Sequence, residues 1–421
     1  MNSKTFAVNG TFIYSETKDT LSVKENQYLI IEDGLVKSFS ENKPENLDIY
    51  DFSGKKIIPG MYDLHTHASQ FAYRGLGMDM ELLDWLKENA FPEEAKFKDT
   101  AYAEKAYGIF SEELLKSPTT RAAIYTTVHS ESALILMENL EKIGLIAYVG
   151  KVNMDRDCPD FIRESTEKSL EDTVFFAEKS KGFKNVFPII TPRFIPTCTD
   201  ELMYGLGKIR KDYNLPVQSH LSENLGEIEL VKKLCPDSKF YADAYRNFGL
   251  WGDDFPVLMA HCVYSDSPEE IELFKKTNAF IAHCPQSNEN IASGIAPIRK
   301  YIEEGLNIGL GTDVAGGAHL SMFRAMTDTL QMSKLYWRLI DDTKKPLTFP
   351  EVFYLATEGG GKFFGKTGSF KEGYEFDAVI LEDDNLNVLR PFSPYERLQR
   401  LIYLSESGNI KGKFVKGVKV F

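Results

Sequence analysis

The sequence predicts an α/β protein, a (β/α)8 TIM barrel with a small β-sandwich domain formed by both chain termini. Three features of the chain lead to this prediction. Eight short apolar runs alternate with longer helical patterns through the middle of the chain. Polar residues, histidines above all, follow where these runs end, as they do at the active end of a barrel. The two chain ends carry strand patterns punctuated by glycine instead.

The apolar runs are the predicted barrel strands: Ile57–Leu64, Ala122–His129, Leu145–Lys151, Val186–Thr191, Pro216–His220, Val257–His261, Ala279–His283 and Ile308–Asp313. Intervening stretches such as PEEIELFKKT repeat apolar residues at helical spacing, as helices that cover a barrel do. A doubly wound open sheet is the alternative, but its first strand should lead into a Gly-rich phosphate loop, which is missing here. The string GxxxxGKT at Gly360–Thr367 follows a helical pattern and is interpreted as a chance match.

Both chain ends alternate apolar and polar residues in short segments. TFAVNGTFIYS and YLIIEDGLVKSFS lie near the start, with a predicted turn at Asp33–Gly34, and GYEFDAVILEDD and GKFVKGVKVF lie near the end. A chain of 421 residues is also longer than one simple core usually supports. We therefore expect a barrel of residues 59–366 and a sandwich that combines residues 1–58 with residues 367–421.

Composition excludes several classes of protein. The 49 basic and 62 acidic residues give a net charge of −13, which disfavours nucleic acid or an anionic membrane as a partner and favours a small substrate. Five cysteines without CxxC spacing argue against a disulfide framework. The first twenty residues lack a signal-peptide pattern, and no apolar run approaches the ~18 residues of a membrane span. We expect a soluble, cytoplasmic protein.

Six of the seven histidines follow predicted strands, and the exception is His319; the six are His65, His67, His129, His220, His261 and His283. Because side chains on a strand alternate, His65 and His67 of the HTH string should project on the same face. A single HxH pair is commonly accidental, and a single strand-end histidine commonly caps carbonyl groups. The set as a whole indicates one site.

His65, His67, His220 and Asp313 are the predicted metal ligands. The first and eighth strands are neighbours in a closed barrel, so Asp313 of the GLGTD string should lie beside His65 and His67. Three imidazoles and a carboxylate suit a divalent ion that activates water. Zn²⁺ and Fe²⁺ both accept this set. The alternative for Asp313 is a helix N-cap.

Glu223 is the predicted proton shuttle. It stands three residues after His220 in the SHLSEN string, and one helical turn would carry it over the metal without ligating it. The alternative is a first-turn glutamate stabilised by the helix dipole. His261 should lie across the mouth and bind the attacking water or the oxyanion. Cys262 and Cys284 directly follow histidines, so alternation predicts that both point toward the helices as core residues.

Several strings in the barrel go beyond this general pattern. The barrel with HTH, single histidines on the fifth and sixth strands and aspartate on the eighth resembles the amidohydrolase superfamily, and further strings resemble its guanine deaminase family. These strings are HASQ (His67–Gln70), DWLKENAFPEEAKF (Asp84–Phe97), PRF (Pro192–Phe194), HLSEN (His220–Asn224), AHCPQSN (Ala282–Asn288) and GTDVAGG (Gly311–Gly317). The fourth run lacks the lysine of dinuclear members, so the resemblance implies one metal ion per subunit, Zn²⁺ with Fe²⁺ as the alternative. It also implies a homodimer and a role in purine catabolism.

The resemblance implies guanine as substrate, deaminated hydrolytically to xanthine and ammonia. Arg193 is suited to donate to the acceptor pair O6 and N7 of guanine, and Gln70 is suited to hydrogen-bond its pyrimidine edge. Phe194 offers an aromatic ring on which the base can stack. The resemblance adds His67 and His220 to these substrate-binding residues and implies that Asp313 is the base, Glu223 the shuttle and His261 the stabiliser of the intermediate. By residue type alone, each has an alternative interpretation: Arg193 could form a surface ion pair, and Phe194 could be a core residue.

Two rival functions stay open at this point. One is another amidohydrolase of the same subgroup, acting on a triazine, a cytosine or a thioether nucleoside. The other is a non-enzymatic barrel that binds a metal, which would tolerate the change Glu223→Gln.

Overall fold

The structure is a computed structural model that describes residues 5–252, 254–387, 389–405 and 407–421. The first four residues of the predicted amino-terminal unit lie outside these ranges. Among the described residues, no helix combines the length and the apolar character that a membrane crossing requires.

The amino-terminal strands belong to a seven-stranded sheet. They are β1 (Thr5–Ser15), β2 (Leu21–Glu32), β3 (Leu35–Ser40) and β4 (Asp48–Pro59). Strand β1 pairs antiparallel with β2 and parallel with β4. Between β2 and β3, Asp33 and Gly34 have φ values of 52° and 81°, which both positions of a type I′ turn require. The predicted turn is confirmed.

The central strands are parallel and form an eight-stranded sheet, with two short strands in addition. They are β5 (Met61–His67), β6 (Thr119–Tyr125), β7 (Ile146–Gly150), β8 (Val152–Asn153), β9 (Val186–Pro188), β10 (Thr191–Pro192), β11 (Val217–Leu221), β12 (Val257–His261), β13 (Ala279–His283) and β14 (Asn307–Leu310). Strand β14 pairs with β5, and a parallel bridge between Ile190 and Val217 joins the β9 edge to β11. The sheet therefore closes, and the predicted (β/α)8 barrel is confirmed.

The helices lie mainly between successive barrel strands. They are α1 (Leu82–Trp85), α2 (Phe91–Ala95), α3 (Thr100–Lys116), α4 (Ser130–Ile143), α5 (Thr166–Ser180), α6 (Asp200–Tyr213), α7 (Leu225–Leu234), α8 (Tyr241–Asn247), α9 (Pro268–Lys276), α10 (Pro285–Asn290), α11 (Ile298–Glu303), α12 (Met322–Leu339), α13 (Phe349–Tyr354) and α14 (Pro394–Leu404). A short 3₁₀ helix, Ala68–Tyr73, follows β5 directly. The longer helices turn an apolar stripe toward the barrel, as the sequence periodicity predicts.

The carboxy-terminal strands β15 (Ala378–Leu381), β16 (Ile410–Val415) and β17 (Val418–Lys419) complete the first sheet. Strand β15 pairs with β4, with Val379 opposite Ile58. Both chain ends therefore build one sheet domain, as predicted. Its junction with the barrel contains a buried ion pair in which Nε of Arg121 lies 2.6 Å from Oδ2 of Asp377. We propose residues 1–58, 59–366 and 367–421 as the limits of these units.

The first predicted strand covers parts of two strands. Ile57–Leu64 reads as one apolar run, but its first residues belong to β4 and its last to β5, with Gly60 between them. A Cβ at Gly60 would lie 2.1 Å from the Thr120 hydroxyl, so the chain passes β6 too closely for any side chain. The apolar run conceals this junction because both of its sides are buried.

Candidate active site

The four predicted metal ligands lie together at the carboxyl ends of the barrel strands. Nε2 of His65 lies 3.2 Å from Nε2 of His67. Oδ1 of Asp313 lies 3.1 Å from the first of these nitrogens and 3.3 Å from the second. A nitrogen of His220 lies within 4.8 Å of the two other imidazoles. Backbone pairing holds Asp313 in place, because its N–H donates to the carbonyl of His65 at 2.8 Å.

The donor spacing fits a divalent metal ion. Ligands at ~2.1 Å from a tetrahedral zinc ion stand roughly 3.4 Å apart, close to the separations among His65, His67 and Asp313. Nδ1 of His220 donates to the carbonyl of Arg193 at 2.7 Å, which leaves Nε2 as the ligand atom. Three imidazole nitrogens and one carboxylate oxygen can therefore hold one ion.

The imidazoles are neutral, which metal ligation requires. Burial lowers the pKa of His67 to about 3, against the attraction of Asp313. Burial also lowers the pKa of His65, and it lowers that of His220 well below the ordinary range, where the neighbouring histidines add to the effect. Each ring therefore offers a lone pair at neutral pH.

His261 and Glu223 lie on one side of the ligand cluster. Nε2 of His261 lies 3.4 Å from Oε2 of Glu223 and 3.5 Å from Oδ2 of Asp313. Nδ1 of His261 donates to Oδ1 of Asn288 at 2.9 Å, which orients the ring. His261 has a φ of 69°, a left-handed backbone that is uncommon outside glycine and typical of functional sites.

The predicted reason for the position of Glu223 is wrong, although its location beside the cluster agrees with the prediction. Glu223 lies in the connection between β11 and α7, and the helix begins only at Leu225. The preceding Ser222 has a φ of 48°, so the chain turns sharply there. The carboxylate of Glu227 accepts the Glu223 N–H at 2.9 Å and secures this turn. A local turn, rather than a helical one, carries the Glu223 side chain to the cluster.

Two carboxylic acids of the site have opposite protonation behaviour. Burial raises the pKa of Glu223 well above its ordinary value, and repulsion from Asp313 and Glu227 raises it further. Burial also opposes ionisation of Asp313, but attraction to the histidines outweighs it and lowers the pKa of Asp313 well below its usual range. Glu223 therefore favours its protonated form and Asp313 its ionised form, and both carboxyl groups lie beside His261.

A small cavity of about 30 Å³ lies over the cluster. The lining includes the predicted site residues except His65, together with an apolar wall: His67, Gln70, Leu82, Trp85, Leu86, Arg193, Phe194, His220, Glu223, His261, Ser287, Ile291, Asp313 and Gly316. The apolar wall was not predicted, because its residues read as ordinary helix core in the sequence.

The predicted substrate residues Gln70, Arg193 and Phe194 all face this cavity and are all buried. Behind them lies Glu94 of α2, which the predicted site does not include. Its two carboxylate oxygens accept from Nε2 of Gln70 at 2.8 Å and from Nη1 of Arg193 at 2.7 Å. The FPEE string was the only signal for Glu94, and spacing alone does not identify its partners.

The other histidines lie away from the cluster. His129 precedes α4, beyond the end of β6, and His319 is exposed. His283 ends β13 but points outward, where it lines a small cavity with Arg299 and Tyr336. A position at the end of a barrel strand therefore does not by itself identify which histidines belong to the cluster.

The predicted direction of Cys284 is wrong. Both Cys262 and Cys284 are buried, as predicted, and Cys262 packs in the outer layer. The Sγ atom of Cys284 instead lies inside the barrel, within 4.8 Å of donor atoms of His65 and Asp313. Phe280 and Ala282 face the same interior, so Cys284 continues the alternation of β13 and His283 takes the outward position.

Comparison with known proteins agrees with this architecture. Residues 57–420 match the Amidohydrolase family. A guanine deaminase of Dictyostelium discoideum is 37% identical over 442 residues, which cover 98% of this chain and 97% of that protein. The crystal structure of a guanine deaminase from C. acetobutylicum with bound guanine superposes with a TM-score of 0.95 at 46% identity, covering 99% of this chain and all of that one.

A more distant structure shares the fold alone. An atrazine chlorohydrolase variant from Arthrobacter aurescens, solved with zinc and atraton, has a TM-score of 0.83 at 18% identity over 98% of this chain and 94% of that one. Because the family match covers most of the chain and the two relatives reported above at more than 30% identity are guanine deaminases, this chain belongs to the amidohydrolase family, within its guanine deaminase group.

Proposed function

We propose that this protein hydrolyses guanine to xanthine and ammonia. The observation that carries the proposal is one cavity that holds both a buried acid and base, Glu223 and Asp313, and two polar side chains suited to a purine edge, Gln70 and Arg193. Arg193 offers a planar fork of N–H donors, which matches the adjacent acceptors O6 and N7 of guanine. Phe194 supplies an aromatic surface for the ring.

The metal site supports the same reaction. An ion held by His65, His67, His220 and Asp313 would act as a Lewis acid and would lower the pKa of a bound water from ~9, its value on aqueous zinc, toward ~7. We propose zinc, because three imidazoles and one carboxylate are a set that zinc accepts, with ferrous iron as the alternative.

The chain's own residues then move the protons. Asp313 accepts a proton from the water whose oxygen bonds to C2 of guanine. Glu223, protonated because its pKa is raised, donates to ring N3, so that the tetrahedral intermediate does not accumulate negative charge. Because Nδ1 of His261 donates to Asn288, its Nε2 accepts a hydrogen bond from the hydroxyl added at C2 and so stabilises that intermediate.

Collapse of the tetrahedral intermediate accounts for the remaining protons and for the leaving group. The proton held by Asp313 passes to the amine, the C2–N2 bond breaks and ammonia leaves. The remaining water proton returns to Glu223 as the C2 carbonyl of xanthine forms. One water is consumed, and both acids return to their starting state.

Three further proposals concern the assembly, the location and the metabolic role of the protein. We propose a homodimer, a cytoplasmic location and a role in purine catabolism. The free state of the five cysteines is compatible with a reducing compartment. Sedimentation of the purified protein would test the assembly, and elemental analysis would identify the metal.

Ammonia release from guanine tests the activity directly. The metal-loaded protein should consume guanine, seen as loss of its ultraviolet absorbance, and release one ammonia per guanine. Cytosine, a thioether nucleoside and a triazine serve as comparison substrates for the rest of the subgroup. Absence of turnover with guanine, or faster turnover of one of the others, would overturn the assignment.

A further inference from the structure

Behind the substrate-binding side chains lies a carboxylate that does not line the cavity. Glu94 of α2 is completely buried, and each of its oxygens accepts one hydrogen bond, from Gln70 and from Arg193. A buried carboxylate is costly unless charge and hydrogen bonds compensate it. Here both partners are residues that face the ligand.

The first bond determines how the Gln70 amide is turned. Its Nε2 donates to Glu94 at 2.8 Å, and its Oε1 accepts the Ala315 N–H at 3.1 Å. A carboxylate only accepts and a backbone N–H only donates, so rotating the amide by 180° would break both bonds. Gln70 can therefore present its second N–H and its second lone pair to the cavity in one arrangement only.

The second bond holds the guanidinium of Arg193. The ion pair is almost completely buried, with side-chain exposures of 3% for Arg193 and 0% for Glu94. The guanidinium carbon lies 5.1 Å from the ring centre of Phe91, at the start of the same helix. One bond to Glu94 leaves further N–H groups of the fork for a ligand.

From this geometry we infer that Glu94 is a positioning residue for substrate selection. It touches neither the cavity nor the reacting atoms, and it acts by fixing which donors and acceptors Gln70 and Arg193 turn toward the purine. The inference rests on the proposed function, because it concerns how guanine is distinguished from purines without an O6 acceptor. Short helix α2 thus belongs functionally to the substrate site.

Glu94→Gln tests the inference. The amide replaces one of the two accepting oxygens with an NH₂ donor, so it can no longer accept at both positions, and Gln70 becomes free to turn. We expect the KM for guanine to rise about tenfold or more, with kcat within about threefold, because Glu223 and Asp313 are untouched. We also expect a fall in the ratio of kcat/KM for guanine to that for 2-aminopurine, which keeps the C2 amine and lacks O6.

Glu93→Gln is the matched control. Glu93 is the neighbouring residue of α2 and is also buried, but its carboxylate contacts Lys96 and Tyr102 and not the substrate residues. This control should keep the guanine to 2-aminopurine ratio of the wild type. Equal changes in both variants would assign the effect to the helix and overturn the inference.

A double-mutant cycle with Gln70→Ala separates positioning from general stability. If Glu94 acts through Gln70, the change Glu94→Gln should raise the KM less in the Gln70→Ala background than in the wild type. Additive effects in the cycle together with an unchanged substrate ratio would overturn the inference. If Glu94→Gln does not fold, Glu94→Asp replaces it, because this variant keeps the charge on a shorter side chain. An unchanged ratio of kcat/KM for guanine to that for 2-aminopurine in Glu94→Asp would also overturn the inference.

Failure of the inference about Glu94 can be distinguished from failure of the proposed function. If the metal-loaded wild type does not convert guanine, the proposed function is overturned. If the wild type converts guanine and Glu94→Gln does so with an unchanged KM and ratio, only the role of Glu94 is overturned.

Discussion

His65 and Asp313 come from opposite ends of the barrel sequence, yet Nε2 of the first lies 3.1 Å from Oδ1 of the second. The pairing of β14 with β5 brings them together. The N–H of Asp313 also donates to the carbonyl of His65. The same contacts between the first and last barrel strands therefore close the barrel and bring the candidate ligands together. Disturbing either residue should therefore affect metal retention first.

Removing a ligand should release the metal. We expect His65→Ala to bind zinc at least about 100-fold more weakly than the wild type, since loss even of a supporting partner costs 10–100-fold. Chelation should abolish guanine turnover in the wild type, and added zinc should restore it. His129→Gln is the control, because His129 lies outside the cluster. Elemental analysis checks both variants, and full metal content in His65→Ala would contradict the ligand assignment.

Glu223→Gln should remove turnover without removing the metal. The amide cannot deliver a proton to N3, so we expect kcat to fall about 10²- to 10⁴-fold. Glu229→Gln, an exposed change on α7, should leave kcat unchanged. Single-turnover kinetics with elemental analysis makes the measurement. Full guanine turnover by Glu223→Gln would exclude Glu223 as the proton shuttle.

Arg193→Lys should weaken guanine binding more than chemistry. Lysine keeps the charge that compensates Glu94 but loses the planar fork, which contributes about 1–3 kcal/mol of discrimination at a guanine edge. We expect the KM to rise about 10- to 100-fold with a modest change in kcat. Arg163→Lys, an exposed change in an ion pair with Asp160, is the control. An unchanged KM in initial-rate measurements would exclude Arg193 from guanine recognition.

Glu270 should make stability depend on pH near neutrality. Burial raises its pKa to about 7 from the ordinary 4.5. The folded state thus binds its proton more tightly than the unfolded state, so the contribution to stability is fully present below about pH 4.5 and is lost as the pH rises through 7. Glu270→Gln should remove this loss and keep an acceptor for the Ala242 N–H.

Urea unfolding at several pH values measures this effect. Relative to Glu270→Gln, the wild type should lose on the order of 3 kcal/mol between pH 4.5 and pH 8, since one pKa unit corresponds to about 1.4 kcal/mol. Glu269→Gln on the exposed face of α9 should parallel the wild type. Parallel curves for the wild type and Glu270→Gln would show that folding does not raise the pKa of Glu270.

The sequence by itself determined the barrel architecture and predicted which four candidate ligands would lie together. The predicted strands Val257–His261 and Ala279–His283 match β12 and β13 residue for residue, because short buried parallel strands appear as continuous apolar runs. The strand order of a closed barrel then places Asp313 beside His65 and His67. These inferences require only local periodicity and one topological rule.

The tertiary structure decided the features that depend on distant contacts or on single backbone angles. Glu94 reaches partners 24 and 99 residues away in the chain, a pairing that no local pattern encodes. The left-handed backbone at Ser222 and His261 aims two side chains where regular helix or strand geometry would not. Periodicity predicts which face a residue takes only while the element is regular, and this site is built where the strands end.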